Sequence, residues 1–549
     1  MDFTKYNQYP PVKLDDREWP SKVLDKAPLW CSVDLRDGNQ ALPIPMSIDE
    51  KVEYFKLLVG MGFKEIEVGF PSASETEFNF LRRLVDDNLI PNDVHIQILT
   101  QSRAHLIKRS FEALDGVKNA IVHFYNSTST LQRKVVFKKS REEIKQIAVD
   151  GAILIKEMSD SFKGNIRYEY SPESFTGTEL EYAIEVCEAV MDVVKPTKES
   201  KLILNLPGTV EMSTANVHAD QIEWFCKNIK NRESVLISLH THNDRGTATS
   251  ATELGLLAGA DRVEGTLFGN GERTGNADLV NLGMNLYTQG IDPLLDFSNI
   301  NKIIEIYSRC TRMNVGPRHP WAGNLVYTAF SGSHQDAIKK GLEARKESKS
   351  HIWEVPYLPI DPTDLNRVYE EIIRINSQSG KGGVAFVLEN SYGYKLPKSM
   401  HPEISGIVQK VTDRTGEELS PENIFDIFSK EYLEVEPIYT LVDYSINTGK
   451  GQETKVTASI RKDKKEIKVN GVGNGPIDAF FNALIGIDSK SIKFHDYSEH
   501  SLTEGADSKA VAYIGIMTDR GEIVYGVGID SSINVASIKA LLCALNRVK

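Results

Sequence analysis

Two histidines, His240 and His242, are separated by one residue and lie at the end of the apolar stretch 235–242. In a β-strand alternate residues share a face, so both imidazoles would point one way and Thr241 the other. Two imidazoles placed in this way can bind one divalent metal ion. The alternative is a pair of structural histidines bonded to nearby backbone, because histidine often has that role as well.

Further polar groups follow other apolar stretches, in the segments 34–40, 169–173, 205–209 and 269–276. A carboxylate, two imidazoles and an amide oxygen can form a mixed metal site that leaves positions open for a substrate. Each group alone also has a structural interpretation, such as an ion pair of Arg36 and Asp37 at a strand end. Their joint placement at predicted strand ends favours a site.

Short apolar runs alternate with segments of helical spacing between residues 29 and 294. Eight strands are predicted, at 29–37, 63–70, 95–100, 120–125, 166–171, 201–206, 235–242 and 262–268. Strands alternating with helices over about 250 residues indicate an α/β chain with a (β/α)8 TIM barrel, whose active site lies at the C-terminal strand ends. A doubly wound sheet is the alternative, but the glycine-rich nucleotide turn that it usually carries after its first strand is missing from the sequence.

The rest of the chain divides into three predicted parts. Residues 1–28 form a polar N-terminal extension, 295–435 a helical linker subdomain, and 436–549 a small α+β regulatory domain. In the last part, Gly471-Val-Gly473 and Gly526-Val-Gly528 each follow a strand-like stretch and lead into a helix-like one. This pattern predicts two βββα repeats, which suit ligand sensing. Two glycine hairpin turns in a simple α+β domain are an equal alternative.

The composition excludes several classes of protein. The 549 residues are 41% hydrophobic and 26% charged, with a formal net charge of −12, as in an ordinary globular protein. The sequence has no basic block, which argues against nucleic acid or a membrane surface as partner. No apolar run reaches the roughly 20 residues of a membrane span. Five scattered cysteines and no apparent signal peptide predict a cytoplasmic protein with reduced thiols.

The motifs at the strand ends resemble those of the 2-isopropylmalate synthases. The resemblance is carried by Leu-Arg-Asp-Gly-Asn-Gln (35–40), Ser-Pro-Glu (171–173), His-Thr-His-Asn-Asp (240–244) and Gly-Asn-Gly-Glu-Arg-Thr-Gly-Asn (269–276). Ser-Gly-Ser-His-Gln-Asp (331–336), Val-Pro-Tyr-Leu-Pro (355–359) and Gly-Val-Gly-Asn-Gly-Pro-Ile-Asp (471–478) are similar to later landmarks of its longer branch, which has a leucine-sensing domain. The barrel motifs alone are shared with homocitrate and citramalate synthases and, more loosely, with related lyases.

The resemblance implies a Claisen-type condensation of acetyl-CoA with 2-oxoisovalerate, then thioester hydrolysis to 2-isopropylmalate and CoA, the first committed step of leucine biosynthesis. The implied ligands of a zinc, manganese or magnesium ion are Asp37, His240, His242 and Asn276. The implied catalytic residues are Arg36, Glu173, His334 and Tyr357. The implied substrate-binding residues are Leu99, His123, Ser171 and Thr209. The apolar Leu99 favours a branched side chain over the second carboxylate of 2-oxoglutarate, although one or two methyl groups are discriminated by only ~1–3 kcal/mol.

The same resemblance implies regulation and partners. Leucine is expected to inhibit the enzyme by binding near Gly473, Asn474, Gly475, Pro476 and Ala479. A homodimer is expected, in which the linker subdomain completes the partner's active site. A monovalent cation is a further expected activator.

Other functions stay open at this point. A sister acyltransferase, such as a citramalate or homocitrate synthase, would keep the chemistry with another 2-oxo acid. A metal-dependent carbon–carbon lyase would be expected to carry a cysteine in a glycine-rich loop, and the loop 269–275 has none. A non-catalytic amino-acid sensor has no reason to retain the full set of metal-ligand residues.

Overall fold

The computed structural model describes residues 2–329, 331–348, 350–369, 383–415, 419–448, 453–462, 465–485, 492–502 and 508–548. Two units divide the chain: Met1–Tyr327 with Pro359–Val368, and Thr328–Leu358 with Tyr369–Lys549. Within the described ranges, no helix combines the length and the apolar composition that crossing a membrane requires.

The first unit contains a closed barrel of eight strands, each parallel to its neighbours, with β8 paired to β1. The strands are β1 (Leu29–Ser32), β2 (Glu65–Gly69), β3 (His95–Gln101), β4 (Asn119–Ser127), β5 (Asn165–Glu173), β6 (Leu202–Gly208), β7 (Val235–Thr241) and β8 (Arg262–Gly265). The helices that follow them are Ile48–Met61, Glu75–Asp86, Ala104–Ala113, Arg141–Ser159, Leu180–Val194, Ala215–Asn228, Ala248–Leu257 and Leu279–Tyr287, and Ile300–Thr311 comes next. The predicted (β/α)8 barrel is confirmed.

Local signals at helix ends account for this alternation. Ser47 and Glu50 form a capping box at the first helix, and Ser140 and Glu143 form another at the helix after β4. Gly62 ends the first helix with a φ of 103°, a conformation that a residue with a Cβ rarely adopts.

The first predicted strand, 29–37, is longer than the observed one. β1 ends at Ser32, and Asp34–Gly38 forms a π-helical turn. The buried Asp34 carboxylate accepts hydrogen bonds from Ser32 Oγ at 2.7 Å and from the Leu267 N–H at 3.0 Å, which stabilises the turn. The turn places Arg36 and Asp37 at the C-terminal end of β1.

Part of the barrel interior is polar. Its buried side chains include Glu65, Glu67, Gln97, Glu169, Arg262 and Glu264. The guanidinium of Arg262 donates to Glu65 at 2.6 Å, to Glu264 at 3.0 Å and to the Gln97 amide oxygen at 2.6 Å. Charges buried in this way need such partners, because an unpaired ion inside a protein is costly.

Among its described residues, the second unit contains four helices followed by two βββα repeats. The helices are Gly332–Glu347, Gly383–Tyr392, His401–Thr415 and Pro421–Phe428. The first repeat is β9 (Tyr439–Thr448), β10 (Thr454–Lys462), β11 (Lys465–Gly473) and helix Pro476–Ile485. The second is β12 (Lys493–Ser501), β13 (Ala510–Met517), β14 (Ile523–Asp530) and helix Ile533–Arg547. Each repeat forms its own three-stranded antiparallel sheet, as predicted.

The paired glycines lie inside β11 and β14 rather than in hairpin turns. An added Cβ would lie 2.0 Å from a carbonyl oxygen of the following helix at Gly471, and 2.1 Å from one at Gly526. Glycine therefore lets each helix lie directly on its sheet. Between the glycines, Val472 is exposed, whereas Val527 is buried in a cluster with the helices that precede the repeats.

Candidate active site and metal centre

A cavity of about 420 Å³ lies at the C-terminal ends of the barrel strands. It is lined by Arg36, Asp37, Gln40, Phe70, Leu99, His123, Tyr125, Ser171, Glu173, Asn205, Pro207, Thr209, His240, His242, Glu272 and Arg273. The structure therefore brings the predicted barrel residues together, with Asn276 next to Asp37.

Asp37, His240 and His242 form a buried group whose ligand atoms lie within 4.8 Å of one another. Oδ2 of Asp37 is 3.7 Å from Nε2 of His240 and 3.6 Å from Nε2 of His242. These separations are close to the roughly 3.4 Å expected between two ligands of a tetrahedral ion with bonds near 2.1 Å. The amide nitrogen of Asn276 donates to Asp37 Oδ2 at 2.7 Å.

Nδ1 of His240 and Nδ1 of His242 each have a hydrogen-bond partner. Nδ1 of His240 lies 2.8 Å from Glu264 Oε2, and Nδ1 of His242 lies 3.3 Å from the Gly208 carbonyl oxygen. Both partners are acceptors, so each Nδ1 carries the proton and each Nε2 is available to a cation. Nε2 of His242 and Oδ1 of Asn276 are buried with no hydrogen-bond partner in the described part of the chain. This donor set fits a divalent metal ion.

Arg36 is a cation beside this group, and its side chain is 11% exposed. It donates to Asp37 Oδ1 at 2.6 Å through Nη1 and to Glu67 through Nε. Burial opposes the charge, but the two carboxylates outweigh it and raise the pKa of Arg36 above its ordinary value. Burial likewise opposes ionisation of Asp37, but Arg36 and the two imidazoles hold the pKa of Asp37 well below its usual range. The guanidinium keeps donors for a substrate oxygen, because only part of its five N–H groups is engaged here.

Glu67, His123 and Glu264 form a second buried group with ligand atoms within 4.8 Å. The amide nitrogen of Gln97 donates to Glu67 Oε2 and to Glu264 Oε1, both at 2.8 Å. The amide therefore fills the place that a cation would need, and the group is a hydrogen-bonded network rather than a metal site.

In one wall of the cavity, the polar side chains form hydrogen bonds with one another. Nδ1 of His123 lies 2.8 Å from Glu67 Oε2, and Nε2 lies 2.7 Å from Ser171 Oγ. The Glu67 carboxylate only accepts, so His123 carries its proton on Nδ1 and accepts the Ser171 hydroxyl at Nε2. Leu99 lies opposite His123 in the β3–β4 pairing. Such a wall suits an apolar substrate group.

Glu173 and Thr209 lie at the C-terminal ends of two neighbouring strands, β5 and β6. Glu173 ends β5, and its carboxylate accepts a hydrogen bond from the Ser127 hydroxyl. The next residue, Ser174, donates its N–H to Thr209 Oγ1 at 2.9 Å. Glu173, at the end of β5, and Thr209, directly after β6, thus face the same cavity.

His334 and Tyr357 belong to the second unit, where their rings stack with centroids 4.1 Å apart. Tyr357 is 60% exposed and has a φ of 64°, a left-handed conformation that is rare for a tyrosine. Strained residues of this kind are common at functional sites. The structure brings the two predicted residues together as a pair.

Several cavity-lining residues received no role from the sequence. They are Gln40, Phe70, Tyr125, Asn205, Pro207, Glu272 and Arg273. Gln40, Glu272 and Arg273 lie inside the motifs at the predicted strand ends. That position could have marked them as cavity residues. Phe70 directly follows β2 and could have been found in the same way. Tyr125 lies within β4 and carries no motif signal.

The predicted effector residues lie at the end of β11 (Gly473), in the turn that follows it (Asn474 and Gly475) and in the next helix (Pro476 and Ala479). The N–H of Asn474 donates to Asp478 Oδ2 at 2.9 Å, and Ala479 is fully buried. A Cβ on Gly473 would lie 2.4 Å from the Ala479 nitrogen. The turn is therefore closely packed against the helix.

A (β/α)8 barrel with a carboxylate, two imidazoles and an arginine at its strand ends defines a class of metal-dependent barrel enzymes. Residues 27–306 match the HMGL-like family, 324–389 the alpha-isopropylmalate synthase post-catalytic domain-like family, and 418–549 the LeuA allosteric (dimerisation) domain. The chain belongs to the 2-isopropylmalate synthase family, whose members are acyltransferases.

Two 2-isopropylmalate synthases, matched over their full length, support this assignment. A 2-isopropylmalate synthase from Clostridium acetobutylicum is 59% identical, with 100% of both chains covered. One from Rhodospirillum rubrum is 56% identical, with 99% of this chain and 98% of that one covered. A solved hydroxymethylglutaryl-CoA lyase from Pseudomonas aeruginosa is 17% identical, with a TM-score of 0.44, 54% of this chain covered and 97% of that one.

Proposed function

We propose that this chain condenses acetyl-CoA with 2-oxoisovalerate and hydrolyses the resulting thioester, which releases 2-isopropylmalate and CoA. The observation that carries the proposal is the buried group of Asp37, His240 and His242 beside Arg36 in the barrel cavity. Such a group would hold a divalent ion, which supplies the Lewis acid that makes the keto carbon of a 2-oxo acid electrophilic.

The residues that would hold the ion are Asp37, His240, His242 and Asn276. A divalent zinc, manganese or magnesium ion bound there supplies Lewis-acid polarisation of the keto group. Arg36 would stabilise the negative charge that develops on the keto oxygen, a role suited to a fixed and permanently charged guanidinium. Thr209 would hold the substrate carboxylate. The branched side chain would lie against Leu99, His123 and Ser171.

The second substrate requires removal of a weakly acidic methyl proton. Glu173 would accept this proton from the acetyl group of acetyl-CoA, assisted by His334 and Tyr357 from the linker subdomain of a second copy. The methyl carbon then bonds to the keto carbon, and the keto oxygen takes up a proton. Water finally attacks the thioester carbonyl, so that the CoA thiol leaves and a carboxylate remains.

We extend the proposal to regulation and assembly. Leucine would bind at residues 473–479 in the C-terminal repeats and inhibit turnover. A monovalent cation would activate the enzyme. The active unit would be a homodimer. The proposed division of the chain is 1–28, 29–294, 295–435 and 436–549.

The test is acetyl-CoA-dependent thiol release, followed with a thiol-reactive dye for 2-oxoisovalerate, pyruvate and 2-oxoglutarate, each with and without a chelator. We expect the fastest release with 2-oxoisovalerate, its loss on chelation and its recovery with a divalent metal. Preference for another 2-oxo acid would reassign the chain to a sister synthase. Absence of release with all three acids and a range of metals would reject the proposal.

A further inference from the structure

Two buried carboxylates on the helix after β6 take their hydrogen bonds from an N-terminal segment, residues 9–19, which we call the strap. Asp220 is 4% exposed and Glu223 is 1% exposed. Arg17 donates to both oxygens of Asp220, at 2.5 and 2.6 Å, and the indole N–H of Trp19 donates to it at 2.8 Å. Two backbone N–H groups of the strap donate to Glu223 at 2.8 and 3.1 Å.

These contacts fix the strap to the barrel. A carboxylate buried without donors is costly, so the strap stabilises Asp220, whereas Glu223 also pairs with Lys227 of its own helix at 2.9 Å. Bidentate pairing of an arginine with a carboxylate also fixes the relative orientation of the two side chains, because both groups are planar. The ion pair of Arg17 and Asp220 is therefore an anchor of defined geometry.

Tyr9, at the other end of the strap, reaches the loop after β5. Its hydroxyl donates to the Thr176 carbonyl oxygen at 2.5 Å and accepts from the Gln221 amide at 2.8 Å. Thr176 is 5% exposed and lies in the short turn Phe175–Gly177, which begins two residues after Glu173. The Thr176 hydroxyl in turn donates to the Val210 carbonyl oxygen at 2.9 Å.

The Tyr9 hydroxyl thus joins two structures that the reaction needs. On one side is the turn that continues from Glu173, and on the other is the helix that follows Thr209. Loops are the most mobile parts of a barrel, and the position of a catalytic group depends on what holds its loop. A half-buried hydroxyl with both a donor and an acceptor partner is well suited to that task.

We propose that Tyr9 is a positioning residue, and that the strap holds the loop after β5 so that the Glu173 carboxylate stays aligned with the methyl group it deprotonates. This inference rests on the proposed function, because it takes Glu173 to be the base. It gives the N-terminal segment a role in turnover.

The test is Tyr9→Phe in the full-length protein, with Tyr6→Phe as the matched control. The Tyr6 side chain is 72% exposed, and no hydrogen bond described for the structured residues involves its hydroxyl. Thiol release with 2-oxoisovalerate is measured with ordinary acetyl-CoA and with acetyl-CoA deuterated at the methyl group. We expect kcat to fall about threefold to tenfold in Tyr9→Phe, because the turn after β5 loses the hydrogen bond that ties Thr176 to the strap.

The isotope effect separates positioning from a merely structural role. A misaligned base slows proton removal, so the isotope effect on kcat should increase in Tyr9→Phe. Partial unfolding would lower kcat through a smaller active fraction and leave the isotope effect unchanged. Deuterium exchange of amides 174–178 should also become faster, since the turn loses a tether.

Equal kcat and isotope effect in the Tyr9→Phe and Tyr6→Phe variants would overturn the proposal. A lower kcat with an unchanged isotope effect would overturn it too, and would assign Tyr9 to stability. If the wild-type protein released no thiol, the proposed function would fail and the role of Tyr9 in catalysis with it. Amide exchange in 174–178 would then still show whether Tyr9 tethers the turn.

Discussion

Nδ1 of His240 lies 2.8 Å from Oε2 of Glu264, and this contact determines which ring nitrogen faces the metal site. Glu264 is fixed in turn by Arg262 at 3.0 Å and by Asn205 at 3.2 Å. Burial alone would raise the pKa of Glu264, but Arg262 and His240 outweigh it and hold that pKa well below its ordinary value. An ionised carboxylate behind a ligand imidazole both orients it and makes it a better ligand.

We therefore expect Glu264→Gln to weaken divalent metal binding by about tenfold to a hundredfold, the usual effect of removing such a partner. The affinity is measured on the full-length protein by competition with a chelator of known affinity. Glu199→Gln, which changes an exposed loop residue, is the control and should bind metal like the wild type. Equal affinities in both variants would show that Glu264 does not tune the site.

The sequence predicted the barrel and the pair of imidazoles because both follow from local periodicity. A period of two places His240 and His242 on one face, and short apolar runs separated by helical segments specify parallel strands. The polar residues behind the site were not predicted. Arg262 and Glu264 belong to one short strand, and nothing in its local pattern shows that they meet side chains from other strands inside the barrel.

The N-terminal segment was missed for a related reason. Its polar composition predicted an extension without a defined place. The structure shows that the donors of Arg17 and Trp19 match buried carboxylates some 200 residues later in the chain. A pairing of this kind leaves no periodic pattern, so only the folded chain shows it.

Glu169 leads to a prediction about stability. Both of its carboxylate oxygens are buried with no hydrogen-bond partner among the described residues, although Arg262 Nη2 lies 3.4 Å away. Burial and, more weakly, Glu264 raise the pKa of Glu169 well above its ordinary value against the opposing effect of Arg262. From this direction we expect Glu169 to be the neutral acid, which glutamine closely imitates.

We expect Glu169→Gln to shift the first thermal unfolding midpoint by less than about 2 °C, which in a unit of this size is roughly 1 kcal/mol. Glu65→Gln is the matched control, since Glu65 is an ionised partner of Arg262 and Arg167, both at 2.6 Å. Breaking that buried pair should cost about 3–5 kcal/mol. The two midpoints are measured by scanning calorimetry, and a larger loss for Glu169→Gln than for Glu65→Gln would contradict a neutral Glu169.

Gly275 should be required for the loop that carries Asn276. Its φ is 98°, and an added Cβ would lie 1.9 Å from the Gly269 carbonyl oxygen, the acceptor of the Asn276 N–H. Gly275→Ala should therefore displace Asn276 and reduce both metal affinity and kcat by about tenfold or more, as loss of a well-placed ligand does.

The control for this substitution is Gly290→Ala. Gly290 has a φ of 77° but nothing within 4 Å of an added Cβ, so it carries the same conformational cost of about 1 kcal/mol without the collision. Chelator competition and steady-state kinetics are compared for both variants. Equal losses in the two would mean that backbone strain, and not the position of Asn276, sets the effect.

Regulation by leucine is best tested with a point substitution rather than a deletion of residues 436–549. Tyr513 and Val527 of the second repeat share a buried cluster with the preceding helices, so a deletion would expose that core. In Gly473→Ala the new Cβ would lie 2.4 Å from the Ala479 nitrogen and force the turn away from its helix. We expect the inhibitory leucine concentration to rise about tenfold or more, within the usual range of allosteric coupling, while turnover without leucine stays near wild type.

Gly406→Ala is the control for this variant, because nothing lies within 4 Å of its added Cβ on helix His401–Thr415. Thiol release is titrated with leucine for both variants and the wild type. If Gly473→Ala keeps the wild-type response to leucine, the effector does not bind at this turn. If it loses basal turnover as well, the turn contributes to the active form of the enzyme rather than to leucine binding alone.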